Sequence, residues 1–508
     1  MEENKMSKGK EILAILLLTL VIGTGTLAWI VWSSKDNTKM NVTIGDLADV
    51  SFKSGNDINI SNLSPSFYYD DGALTEFSIR KKKGLTTELN TNIYLDITSI
   101  SDELKNDNFK YVLLSSSDGN TYNEVISSSF KDASVGKLSI VTDSPLTDGK
   151  TYYKFYIWID GNNENNTTMQ GKSLKGTLNV EVSTPPVNAV TLVEGLDKGE
   201  TGDSGSGVYK VTHSAIPSDS SATGSEIPAV TDYRYYGSNP NNYICLDMEG
   251  GSTCPDKHLY RIIGSIYEEK ENTNRIKVIK ATPLTDGTTS AFSWNYTSSG
   301  DMDNIWATIT SGNYSNSLTS GSTLMQLLNS GAWWNGTSGS YYNDSNTATT
   351  VNFTNYKLSD KAKSYITTSR YYLGGYNNNA PLTNEMYGYE RGTLRYDTDR
   401  PLYWEGKVGL MYPSDYGYAA GNSCVSGTKL YNYDGGCINK DWLYISNTDW
   451  WLMSPDSSGS GGVFNVYFDG LVSRYSNAAQ AVSPVFYLTP SASISDGEGT
   501  LNNPYILK

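Results

Sequence analysis

Hydrophobic and polar positions alternate differently in successive stretches of the chain, and each stretch predicts a different kind of structure. Ile12 to Trp32 carries no charged side chain and is apolar almost throughout. At about 1.5 Å per residue, a helix of that length spans a bilayer core of about 30 Å. Lys5, Lys8 and Lys10 precede it, which favours a cytoplasmic tail over residues 1–11. Residues 12–32 therefore read as a transmembrane signal anchor, or as a signal peptide cut near Ala28 after the small residues Gly23 to Thr26. Both readings export the remainder. The location that follows is a single-pass cell-membrane protein with extracellular C-terminal domains, or a secreted or cell-surface protein if the segment is cleaved.

Residues 41–183 change to short alternating runs. Tyr94 to Ile97, Tyr111 to Leu114, Leu138 to Val141, Thr151 to Ile159 and Gly176 to Val182 read as strands, with turns at Asp118-Gly119 and Asp148-Gly149. Regularly spaced short strands of this kind predict a β-sandwich. The pattern fades over 184–207, where Thr184-Pro185-Pro186 is followed by Gly, Ser, Asp and Glu, so this stretch reads as a flexible linker.

Residues 208–508 mix periods. Leu259 to Tyr267 and Arg275 to Lys280 form a hairpin pattern around Glu268 to Asn272. Ser322 to Asn329 and Leu358 to Ile366 read as short helices, the first with a Ser/Thr cap. Val463 to Phe468, Asp469-Gly470 and Leu471 to Tyr475 read as a second hairpin, and Val485 to Leu488 as a buried strand. The fold class is mainly β: a transmembrane helix, a β-sandwich, then an α+β domain.

Composition narrows the function. The 508 residues carry a formal net charge of -15, which argues against nucleic acid as a partner, since that needs a basic face. The chain holds 38 Tyr and 47 Gly with only 18% charged residues, a balance that fits an exported β-rich protein. Cys245 and Cys254 enclose one short loop, and Cys424 and Cys437 another. An even count in an exported chain favours disulfides, and the two local pairings are expected among the three possible. Metal-like close cysteine spacing is absent. His213 and His258 are the only histidines, and no Gly-x-Ser-x-Gly elbow accompanies them, so they read as structural or surface residues. No catalytic residue, metal or cofactor is assigned, and the chain is not expected to be an enzyme.

Two resemblances extend this reading. Trp451, Leu452, Ser454, Pro455, Asp469, Gly470, Pro484, Val485, Gly497, Gly499, Thr500, Asn503, Pro504 and Tyr505 resemble the C-terminal pattern of bacterial surface proteins with a C-type-lectin-like fold, related to the sulfatase-modifying-factor domain. Ser483 stands where that family usually has Arg. The likeness reaches back through Gly409 to Tyr418, Tyr371 to Gly375 and Asn239 to Tyr243, and implies a C-type-lectin-like domain over 208–508. The phrase Tyr156-Ile157-Trp158-Ile159-Asp160-Gly161-Asn162 resembles the camelysin-like family, which includes biofilm fibre subunits, and implies a jelly-roll-like sandwich. That family's metallopeptidase activity is not carried over, because no His-Glu-x-x-His motif exists here.

The C-type-lectin resemblance implies that the Gly459 to Ala481 region carries a binding face. Ser457, Ser458, Ser460, Asn465, Tyr467, Ser473, Tyr475, Ser476 and Asn477 form the candidate ligand set, since Tyr gives rigid contact area while Ser and Asn give adaptable hydrogen bonds. An ordinary exposed hairpin of the same composition is the competing reading. The expected function is a cell-surface binding or adhesion protein that takes an extracellular glycan or protein. A structural subunit of a surface or biofilm fibre, self-associating through the sandwich, is the alternative. A formylglycine-generating type of enzyme follows from fold analogy alone.

Overall fold

The computed structural model describes residues 40–44, 47–85, 88–162, 166–297, 300–301, 322–342, 347–396, 398, 400–459, 462–475 and 479–508. The chain is mainly β and divides into two compact units, Met1–Pro185 and Pro186–Lys508. The apolar run 12–32 lies outside the described residues, and no helix among the described residues is long and apolar enough to cross a membrane.

The first unit contains two antiparallel sheets. One runs Met40–Ile44, Ala48–Phe52, Ala73–Lys81, Lys150–Ile159, Phe109–Ser116 and Asn123–Ser129; the other runs Asp57–Ser61, Ser173–Ser183, Asn90–Ile100 and Gly136–Pro145. The two-residue period puts alternate side chains on opposite faces. Phe77, Ile79, Phe155 and Ile157 of the first sheet share one buried core with Ile93, Leu95, Leu178 and Val180 of the second. Tyr156 and Trp158 point the other way and join Val112 and Leu114 on the outer face, with Tyr69 packed edge-on against both rings. Each strand expected over 94–182 lies inside an observed one.

The flexible linker expected over 184–207 is not what the structure holds. Val187–Asn188 pairs with Ile494 and Ser493 of the second unit. Ala189–Gly195 is a helix, and the Asn188 side chain accepts from Val190 N and Thr191 N at its start, the usual service of an N-cap asparagine. Val193 is fully buried, and Glu194 Oε1 accepts from Ser265 Oγ and Asn274 Nδ2. The Gly-rich piece that follows is also tied down: Gly202 O accepts from Asn422 N, and Ser204 O from Tyr236 Oη. A glycine-rich composition hides this because the anchoring runs through backbone carbonyls.

A nine-stranded sheet organises the second unit. Its path is Val187–Asn188, Ser493–Asp496, Tyr505–Leu507, Tyr243–Cys245, Leu259–Glu268, Val230–Tyr236 and Gly207–His213. Thr273–Lys280 pairs with the far side of Leu259–Glu268, and Val485–Tyr487 pairs with Thr273–Lys280. Tyr505–Leu507 lies parallel to Tyr243–Cys245, so the C-terminal tail is part of the sheet. The hairpin expected at 259–280 forms, and the buried strand expected at 485–488 is observed over Val485–Tyr487. Both expected helices form over Thr323–Asn329 and Asp360–Ser364, each with its serine, Ser322 or Ser359, accepting a backbone N–H. Cys245–Cys254 and Cys424–Cys437 are both bonded, and no free cysteine remains.

Candidate functional site

The hairpin chosen from the sequence folds as expected, and two residues of the expected ligand set, Ser457 and Asn465, are buried in it. Val463–Val466 is the middle strand of a three-stranded sheet, with Trp450–Pro455 on one side and Val472–Tyr475 on the other. All four of its residues are buried. Asn465, paired across from Trp451 and Ser473, is fully enclosed, and Ser457 is buried as well. Tyr467 and Ser473 are half-buried and Ser458 is exposed. Ser460, Ser476 and Asn477 lie outside the described residues, as does the side chain of Tyr475. A strand flanked on both edges by strands loses its polar positions to the interior whenever both faces are covered, so Asn465 offers no exposed group.

The structure instead brings two features together on the helix Thr383–Glu390. Its burial follows the helical period. Thr383, Met386, Tyr387 and Glu390 face inward, while Asn384, Glu385, Gly388 and Tyr389 face outward. The outer residues border an open cleft of about 450 Å³, closed on its other side by Ile216, Thr393 and Leu394. Tyr389 lies against Tyr376 with ring centroids 4.3 Å apart and planes inclined by 36°. Gly374 and Gly375 bring Tyr376 to this position. A Cβ on Gly374 would meet Tyr389 O at 2.4 Å, and one on Gly375 would meet Pro455 O at 2.0 Å, so only glycine permits the approach. Tyr376 O accepts from Ser457 N. Of the expected ligand set, Ser457 is thus joined to the partner ring of Tyr389, but neither it nor Ser458 lines the cleft. Arg474 beside them is bound to Asp456 and Ser458.

The inner face of the same helix closes on a buried ionic network. Arg234, Gly264, Lys277 and Tyr487 occupy one row across four paired strands. The side chains of Arg234 and Lys277 are about 1% exposed, and both reach Asp415 from the helix Pro413–Ala419. Arg234 Nη1 donates to Asp415 Oδ1 at 2.9 Å, and Lys277 Nζ meets Oδ2 at 2.5 Å. Arg234 Nη2 also donates to Asp232 Oδ2 at 2.7 Å, which His213 Nε2 approaches at 2.9 Å. His213 lies flat on Tyr387, 3.6 Å between centroids and 5° between planes. Glu390 accepts from Ser414 N and Ser414 Oγ and pairs with Arg391, whose guanidinium stands 3.5 Å over the Tyr387 ring.

Burial and pairing compete at each of these groups. Burial raises the Asp415 carboxyl, but Lys277 and Arg234 outweigh it and hold it at about 2. Asp232 is likewise pulled below the usual carboxylate range by Arg234 and His213 against its burial. At Glu390 burial prevails over Arg391 and Ser414 and pushes the carboxyl up to about 7. Burial also lowers His213 and Lys277, more than Asp232 and Asp415 restore them. Both histidines are buried, in line with the structural half of the reading made for them.

Sequence reasoning missed Arg234, Lys277, Glu390 and Asp415. Their signal was the regular basic residues inside the apolar strand Arg275-Ile276-Lys277-Val278-Ile279-Lys280, together with Tyr412-Pro413-Ser414-Asp415, a helix start whose Asp415 accepts from Tyr412 N. Among the described residues no group of three or more His, Cys, Asp or Glu side chains is placed to hold a metal ion. No protein-family model, curated protein or solved structure matches the chain.

Proposed function

We propose that the chain is a cell-surface binding protein, tethered through residues 12–32, with the first unit as a sandwich stalk and the second as a C-type-lectin-like head that takes an extracellular glycan. The observation that carries this reading is the cleft beside Thr383–Glu390, where the Tyr389 ring, backed by Tyr376, stands next to the exposed polar side chains of Asn384, Glu385 and Thr393. Flat aromatic faces with neighbouring amide, carboxylate and hydroxyl groups suit a sugar ring, which offers an apolar face and a rim of hydroxyls. The buried network behind the helix supports the reading, because a ring held on a fixed helix loses little freedom on binding. Two disulfides in the head favour an oxidising compartment.

The purified chain is screened against host and cell-wall glycans, with Tyr389→Ala as the comparison. Truncating an aromatic anchor costs about 1–4 kcal/mol of binding, so affinity for whatever the screen identifies is expected to fall tenfold or more at an unchanged melting temperature. Equal binding by the variant removes the cleft as the site. A second reading, a fibre subunit, rests on the sandwich edge Asn123–Ser129, whose residues are mostly exposed and which pairs on one side only. Concentration-dependent assembly with no ligand in the screen would favour it.

A further inference from the structure

Lys277 differs from the other buried amine in this unit. Lys280 Nζ has three oxygen acceptors, Asp256 O, Asp256 Oδ2 and Thr282 Oγ1. Lys277 Nζ has one, Asp415 Oδ2, and otherwise faces the rings of Tyr412 and Tyr487 at 4.5 and 5.5 Å. An ammonium carries three N–H donors; here one meets a carboxylate oxygen and the rest of the group faces two aromatic rings. The carboxyl it meets is gripped from both ends: Arg234 Nη1 donates to Oδ1 at 2.9 Å, and Tyr412 N donates to Oδ2 at 3.0 Å. Both side chains are about 1% exposed, and they sit 138 residues apart in the chain, one on the central sheet and one on the helix that covers it.

We propose that Lys277 and Asp415 condense into an intramolecular amide that staples the sheet to the helix Pro413–Ala419. A proton passes from the ammonium to the carboxylate within the contact, which leaves a neutral amine against a carboxylic acid. The amine lone pair attacks Cγ. Oδ1 takes the developing negative charge under the Arg234 N–H, an arrangement that lowers the barrier as an oxyanion hole does. Oδ2, held by Tyr412 N, collects a second proton from the nitrogen; the Cγ–Oδ2 bond breaks and water leaves. The ammonium and carboxylate become one amide and one water, with no oxidant, metal or external nucleophile. The product has a single N–H to place where the ammonium had three. It also removes one positive and one negative charge together, so the balance of the network is kept. Burial of Lys277 favours its neutral, nucleophilic form, whereas Lys277 and Arg234 hold Asp415 as the carboxylate, so the proton transfer within the contact is the uphill step.

Mass spectrometry of the purified full chain, reduced and alkylated so that the disulfides do not contribute, tests this directly. The expected mass is lower than the sequence mass by one water. Trypsin is expected to leave Lys277 uncut, and a branched peptide should join the segment holding Lys277 to the segment holding Asp415. Lys277→Met should restore the full mass. Asp415→Asn should form the same amide with loss of ammonia instead of water. A wild-type chain at its full sequence mass, with cleavage after Lys277, overturns the proposal without any variant having to fold. So does a water deficit that persists in Lys277→Met, which would locate the dehydration elsewhere.

Discussion

Replacing Glu390 by glutamine should change how the stability of the protein depends on pH. Glu390 is fully buried, and its carboxyl titrates at about 7 in the folded chain against 4.5 for the ordinary group. A carboxyl with a raised folded value binds its proton more tightly when folded. Its stabilising contribution is therefore complete below pH 4.5 and is lost as pH rises through about 7. At roughly 1.4 kcal/mol per pH decade, the loss amounts to about 3 kcal/mol by pH 8. Other groups overlap this window in known directions. Asp232 is held low, so its contribution is already complete above pH 4 and falls away only in acid. His213 and His258 are both lowered by burial; the unfolded chain takes up those protons first, so their contribution grows with rising pH and opposes that of Glu390. The comparison of wild type with Glu390→Gln removes these shared terms. Glutamine keeps an oxygen for Ser414 N and has no charge to expose. Urea unfolding at half-unit steps from pH 4.5 to 8, followed by tryptophan fluorescence and circular dichroism, gives the free-energy difference at each pH. The advantage of wild type over the variant should shrink by about 3 kcal/mol across the series. A difference that stays constant, or that grows with pH, would mean that Glu390 is charged at neutrality and that Arg391 and Ser414 overcome its burial.

The remaining expectations concern the core and the cross-links. Trp451→Ala removes a ring that is 1% exposed and whose Nε1 donates to Phe292 O at 2.8 Å; it should cost roughly 3–5 kcal/mol in the same unfolding assay, and a loss below about 1 kcal/mol would show that the site collapses without penalty. Thiol titration of the unreduced, unfolded chain should find no free thiol, and peptide mapping should join Cys245 to Cys254 and Cys424 to Cys437; four titratable thiols would refute both bonds.

Much of the fold was legible because its signals are local. A two-residue alternation fixes which side chains of a strand share a face, so Tyr94 to Ile97 or Thr151 to Ile159 could be placed before any partner was known. Ser322 and Ser359 announce helix starts because their hydroxyls serve backbone N–H groups a few residues on. What stayed hidden depends on distant partners. Val187 to Gly195 looks like a short apolar piece between flexible segments, and only its pairing with Ile494 and its packing at Val193 make it part of the second unit. The helix Thr383–Glu390 was missed for a related reason. Its inner face carries Tyr387 and Glu390 rather than an aliphatic stripe, so the helical period is written in polar and aromatic residues that a hydrophobic pattern does not register.

The same fact explains why residues that are buried were taken as binding candidates. In a chain this rich in Tyr, Ser and Asn, composition does not separate surface from interior. Asn465 sits in the middle of a three-stranded sheet at zero exposure, although its type suggested solvent. Lys277 and Arg234 sit inside a strand row, one on each side of Gly264, where charged side chains are uncommon. Gly264 lies between them in that row, and a Cβ there would meet Tyr233 O at 2.3 Å, so the sheet holds this position to a residue without a side chain while its neighbours on either side carry cations. Two cations directed to one face of a buried sheet require an anion from the layer above, and Asp415 is that anion. Once it is in place, Pro413–Ala419 has a fixed position over the sheet, and Ser414 takes Glu390. Glu390 in turn orients the helix whose opposite face presents Tyr389 to the cleft. The half-buried ring of Tyr389 and the buried lysine are thus consequences of one arrangement, readable only when the partners across 138 residues are seen together.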